Sequence, residues 1–188
     1  MILQLLVLCV LIVSAVPARA QDMSVEQAYA LIYEDRIPFD GKQSTLDEKD
    51  TKYLEHLFFV TDMAMRLRVI MLNNFRKGNI SGLKYYEGEI ASLISSFEMV
   101  ETPELMKPVQ KDVIEAINDQ KMFFKSWAKL SGTPEFVTIM KTMTNEPLVF
   151  SSHQKLIRAY KGLIDAYPGE SGYNQKAFYS HLCALDFI

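Results

Sequence analysis

Three histidines, His56, His153 and His181, are the side chains of this chain best suited to carry a proton or hold a metal near neutral pH. A zinc site draws on spacings such as His-Glu-x-x-His or Cys-x-x-Cys, because ligands one helical turn apart can converge on one ion. None of these spacings occurs here. His56 directly follows Glu55, and His181 lies two positions before Cys183. Residues one or two apart point in different directions on a helix, so no Cys-His dyad is expected from that pair. His153 differs from the other two because it continues an apolar stripe.

Cofactor chemistry finds no better footing. Covalent haem attachment needs Cys-x-x-Cys-His, and a diiron bundle needs inward glutamates with Glu-x-x-His pairs. Neither pattern is present, and Glu87, Glu89, Glu98 and Glu115 fall off the stripes expected to be buried. Ten methionines invite a Cu(I) reading. Met63 and Met65 diverge on a helix, however, and Met140 and Met143 follow an apolar face, so core filling explains them. No Gly-x-Ser-x-Gly and no Gly-rich phosphate loop appears. Catalytic residues, metal ligands and cofactors are therefore left unassigned. An enzyme or metal site would have to be assembled from sequence-distant groups, with His153, His56 and carboxylates meeting in a cleft.

Binding is the reading that the residue types favour, of a protein partner or a small apolar ligand. The residues singled out for ligand contact are His153, Gln120, Trp127 and Tyr160. Gln120 is the one polar member of an otherwise apolar stripe, where a polar group fixes register or meets something. Trp127 and Tyr160, with Tyr85, Tyr86 and Tyr167, are aromatics able to line a pocket.

These side chains need helices to position them. Apolar residues recur at spacings of three and four, and two-residue alternation is scarce, so the fold class is all-α. Tyr53, Leu57, Val60, Ala64, Leu67 and Met71 mark a first long helix from about Thr45 to Lys77, capped by Ser44 with Asp47 or Thr45 with Glu48 and ended by Gly78. Leu83, Tyr86, Ile90, Leu93, Phe97 and Val100 mark the second, which stops before Pro103. The third takes Thr102 as N-cap and Pro103 as its first residue, and carries Met106, Val109, Val113, Ala116, Phe123, Trp127 and Leu130.

Short connections between these three long helices predict antiparallel neighbours in a bundle, with shorter helices flanking them. Ser24 to Gln27 form a capping box for a brief amphipathic helix bearing Val25, Ala28, Tyr29 and Ile32. Pro38 closes it, and Phe39 to Gln43 read as a linker. Thr133-Pro134-Glu135 opens a short helix with Phe136, Ile139, Met140 and Met143. Ser151 or Ser152 opens the next, whose stripe is His153, Leu156, Tyr160, Leu163 and Tyr167. Ser171 caps a last one with Tyr173, Ala177, Phe178, Leu182 and Leu185.

The start of the chain reads as a leader. From Ile2 to Val16 the residues are apolar except Gln4 and Ser14, and Pro17-Ala18-Arg19-Ala20 follows. An apolar run of about 15 residues is shorter than the roughly 20 needed to span a bilayer, and Ala18-x-Ala20 offers the small side chains of a cleavage site. Cleavage between Ala20 and Gln21 removes residues 1–20 as a signal peptide and leaves 21–188 as a single all-α domain, exported to a periplasmic or extracellular space, with no membrane attachment after cleavage. Cys9 departs with the leader and Cys183 stays alone, which excludes an intramolecular disulfide in the mature chain. Loss of Arg19 leaves 19 basic against 23 acidic residues. With no block of like charge, no nucleic-acid partner is indicated. Asn79-Ile80-Ser81 fits the glycosylation pattern, on what reads as a surface turn.

Overall fold

Aspartate at position 47 starts the first long helix: its carboxylate accepts from the Asp50 amide at 2.8 Å, satisfying one of the backbone donors that a helix start leaves free. The computed structural model describes residues 36–187, and the α-helices among them are α1 (Glu48–Arg76), α2 (Leu83–Glu98), α3 (Lys107–Ala128), α4 (Pro134–Thr142), α5 (Pro147–Ala166) and α6 (Gly172–Leu185). The described chain is all-helical, with no strand. The predicted signal peptide, its Ala20/Gln21 cleavage site and the short helix around Val25 to Ile32 lie outside the described residues.

Local chemistry sets most boundaries. α1 ends where Gly78 takes φ 71°, a left-handed conformation that glycine adopts without a Cβ penalty. Asn79 then folds the connection, its side-chain oxygen accepting from the Ser81 amide at 2.9 Å. Ser171 caps α6 by accepting from the Asn174 amide.

Three starts differ from the sequence expectation. Asp47, not Ser44 or Thr45, caps α1, because its carboxylate reaches the Asp50 amide. Thr102 does not cap α3; its hydroxyl donates back to the Val100 carbonyl, and Glu104–Met106 form a 3-10 turn before α3 begins at Lys107. α5 begins at Pro147 rather than at Ser151 or Ser152. Proline at the first helical position loses no intrahelical bond, so Pro147 opens the helix one turn before the expected serines.

The buried faces follow the predicted stripes in α1 to α3: Tyr53, Leu57, Val60, Ala64, Leu67 and Met71 of α1 are all buried, as are Tyr86, Ile90 and Phe97 of α2 and Val109, Val113, Ala116, Phe123 and Trp127 of α3. Trp127, Phe75, Phe124 and Phe136 form one aromatic cluster, with Phe75 edge-on to Trp127 at 4.8 Å. α5 is rotated from expectation. Its innermost line is Val149, Ser152, Leu156, Ala159 and Leu163, which leaves His153 and Tyr160 on the flank. Small residues explain the rotation, because α3 and α5 share the most extensive helix contact and a Cβ at Gly162 would stand 2.7 Å from Val109 Cγ2. In α6, Asn174 takes an inward position and Tyr173 is exposed.

Candidate functional site: a groove between α5 and α6

Most of the buried polar side chains hold two segments, the stretch before α1 and the end of α6, where backbone groups are left outside regular helix hydrogen bonding. Before α1, residues 36–45 lie along α6 as a strap. Ile37 N donates to Ser180 Oγ at 3.0 Å, Phe39 N to His181 Nε2 at 3.3 Å and Asp40 N to Asn174 Oδ1 at 3.0 Å, while Asn174 Nδ2 donates to the Asp40 carbonyl. Arg36 grips Asp62 of α1 through both carboxylate oxygens. At the far end Glu170 accepts from Ser44 Oγ, Thr45 N and Ser171 N. Burial raises the Glu170 pKa, but these hydrogen bonds outweigh it and hold the carboxyl below its ordinary value.

The C-terminal end of α6 and the residues just after it are held by side chains from three other helices. Arg68 of α1 donates to the Ala184 carbonyl at 2.6 Å and to the Asp186 carbonyl, and its guanidinium lies 4.9 Å from the Phe187 ring centre. Gln120 of α3 donates to the Leu185 carbonyl at 2.8 Å and to Ser152 Oγ at 3.1 Å. His153 of α5 donates from Nδ1 to Asp186 Oδ2 at 2.5 Å, and the other oxygen of that carboxylate accepts from Phe187 N.

Between α5 and α6, beside that anchored stretch, runs a groove. Its larger chamber encloses about 810 Å³ and is bordered by Arg36, Arg68, Tyr160, Lys176, Tyr179 and Cys183 among others. A smaller chamber of about 220 Å³ is walled by His153, Leu156, Ile157 and Leu182. Tyr160, Tyr179, Cys183 and Asp186 border both, so the two chambers adjoin. Tyr160 and Tyr179 meet edge to face at 5.6 Å across the groove, and the Cys183 thiol is exposed within it. Volumes of this order are those of small-ligand sites.

This chain matches no family model, no curated protein and no solved structure. Its chemistry is therefore read from its own geometry.

Of the residues singled out in the sequence, His153 and Tyr160 border the groove, whereas Gln120 and Trp127 border neither chamber. Trp127 is fully buried and spends its one N–H on the Phe136 carbonyl at 2.8 Å. Gln120 is equally enclosed, with its amide donors spent on Ser152 and Leu185. His56 packs tilted against Phe97, ring centres 5.9 Å apart, between α1 and α2, and shares no cavity with His153. His181 and Cys183 face opposite ways, one buried against Phe58 at 4.5 Å and the other exposed.

Two histidine-carboxylate pairs are formed that no sequence spacing announced. His181 donates from Nδ1 to Asp62 at 2.9 Å, but its Nε2 accepts the Phe39 amide, so that ring has no free nitrogen for proton transfer. His153 with Asp186 stands at the groove wall. Arg68, Lys176, Tyr179 and Cys183 complete the site and went unread in the sequence. One signal did exist for Arg68: a charge set between Leu67 and Val69, four residues after Ala64, falls on the buried face of a long amphipathic helix. Among the described residues no helix is long and apolar enough to cross a membrane, and no group of three or more His, Cys, Asp or Glu is placed to hold a metal ion.

Proposed function

We propose that this chain is an exported, non-enzymatic binding protein: one domain of antiparallel bundled helices, released by cleavage after Ala20, that takes a small ligand with an apolar body between α5 and α6. The observation that carries this reading is the pair of adjoining chambers, in which Leu156, Ile157 and Leu182 offer apolar walls and Tyr160 and Tyr179 stand where the two meet. Short connections of helix to helix support the bundle. The apolar run before Ala18-x-Ala20 supports export, to a periplasm or the extracellular space.

A ligand seated in the groove has to cover Cys183, which gives the reading a direct test. Protein isolated from its own host is weighed by native mass spectrometry, and alkylation of Cys183 is followed peptide by peptide before and after extraction with organic solvent. A bound small molecule whose removal speeds alkylation of Cys183 is the expected result. A clean apo mass, with alkylation unchanged by extraction, would falsify the reading. Sequencing the N-terminus of the same preparation checks the export proposal, which fails if Met1 is retained on cytosolic protein.

A further inference from the structure

We propose that the ligand of the α5–α6 groove is an anionic amphiphile, a single apolar chain ending in a carboxylate or comparable acid, with the acid received by Arg68 in the larger chamber. This rests on the groove being a ligand site. It adds the chemical class of the occupant.

Arg68 carries the inference. Its side chain borders the larger chamber, is 5% exposed, and forms no ion pair with any carboxylate among the described residues. Two of its nitrogens donate to the Ala184 and Asp186 carbonyls, and Nε is buried with no partner. Neutral carbonyls satisfy donors but cancel no charge, and the Asp186 carboxylate acts on Arg68 only through space while bonded to His153 and the Phe187 amide, so no anion is in direct contact with this buried cation. Burial lowers the Arg68 pKa to about 10, which leaves the guanidinium charged at neutral pH.

The surrounding charges point the same way. Lys176, exposed on α6, borders the same chamber. Arg36 is also there, already holding Asp62. The one carboxylate of the lining, Asp186, is turned to His153 and the Phe187 amide. An arriving acid therefore meets cations in the larger chamber, and the adjoining smaller chamber offers apolar walls to its chain. A cationic amphiphile would set its charge against Arg68, and a neutral one would leave that charge as it is.

Decanoate, 1-decanol and decylammonium share one chain and differ in head group, so calorimetric titration of each into the mature chain reads the head-group preference. Alkylation of Cys183 by neutral iodoacetamide places the binding in the groove. Decanoate is expected to bind about tenfold more tightly than decanol, to slow Cys183 alkylation at saturation, and to exceed decylammonium by more. Lys176→Gln, at an exposed position, should weaken decanoate about threefold and leave decanol unchanged. Arg68→Met, checked for its helical circular dichroism, should abolish the preference for decanoate over decanol. Equal binding of decanoate and decanol, both shielding Cys183, overturns the anionic inference while the groove stands as a ligand site. Failure of all three probes to bind, or binding that leaves Cys183 alkylation unchanged, overturns both.

Discussion

Gln120 and Leu185 stand 65 residues apart in sequence and are joined by a 2.8 Å hydrogen bond from the Gln120 side-chain amide to the Leu185 carbonyl. The only polar member of the α3 stripe thus meets backbone from the end of α6, and Ser152 of α5 accepts from the same nitrogen. One side chain ties three helices.

Replacing Gln120 by leucine keeps the volume and removes the donors, leaving the Leu185 carbonyl buried without its partner. Loss of a buried hydrogen bond of this kind costs about 1 to 3 kcal/mol. Urea unfolding of Q120L should show that loss. A midpoint equal to wild type would mean that water or another group satisfies the carbonyl.

Stability at acid pH should depend on Glu170. Its carboxyl is held below the ordinary value of 4.5 by donors from Ser44, Thr45 and Ser171, although burial works against them. A folded pKa below the unfolded one contributes stability that is present above the unfolded value and is lost as pH falls through the folded value. Glu170→Gln should therefore lower stability by about 1 kcal/mol at pH 7, with the gap to wild type closing below about pH 4.5. Parallel pH titrations of thermal unfolding check this; a gap that persists unchanged at pH 3 contradicts it.

Gly162 sits inside α5, where alanine would ordinarily gain about 0.5 to 1 kcal/mol of helix propensity. The space beside Val109 reverses that sign, since a Cβ would come within 2.7 Å of Val109 Cγ2, on a stiff, buried side chain. Gly162→Ala is expected to destabilise by about 1 kcal/mol net. In a Val109→Ala background the same change should be neutral or stabilising. Denaturation of the four proteins of that cycle measures the coupling, and additivity would show that the helices are not in close contact there.

His181→Phe preserves ring stacking on Phe58 while removing the acceptor of the Phe39 amide and the donor to Asp62. Hydrogen exchange followed by mass spectrometry should then show faster exchange in residues 36–45, with the interior of α3 unchanged. Equal protection of the strap in both proteins would mean that Arg36, Ser180 and Asn174 hold it without the histidine.

The sequence by itself determined the helical class, the buried stripes of α1 to α3, and the Ser171 cap and Gly78 stop. Each of these is set by residues within a turn or two of one another, through the 3.6-residue period and the few backbone donors that a helix end leaves open. It misplaced the start of α5 because Pro147 both ends one segment and opens the next, and both roles have the same local signature. Only the tertiary structure decided what Gln120, His153 and Arg68 do. Their partners are carbonyls and a carboxylate between Ala184 and Asp186, brought in by packing from 33 to 118 positions away. Periodicity records which face of a helix is buried; it carries no information about which distant backbone arrives there without hydrogen-bond partners, nor about a groove whose two walls come from different helices.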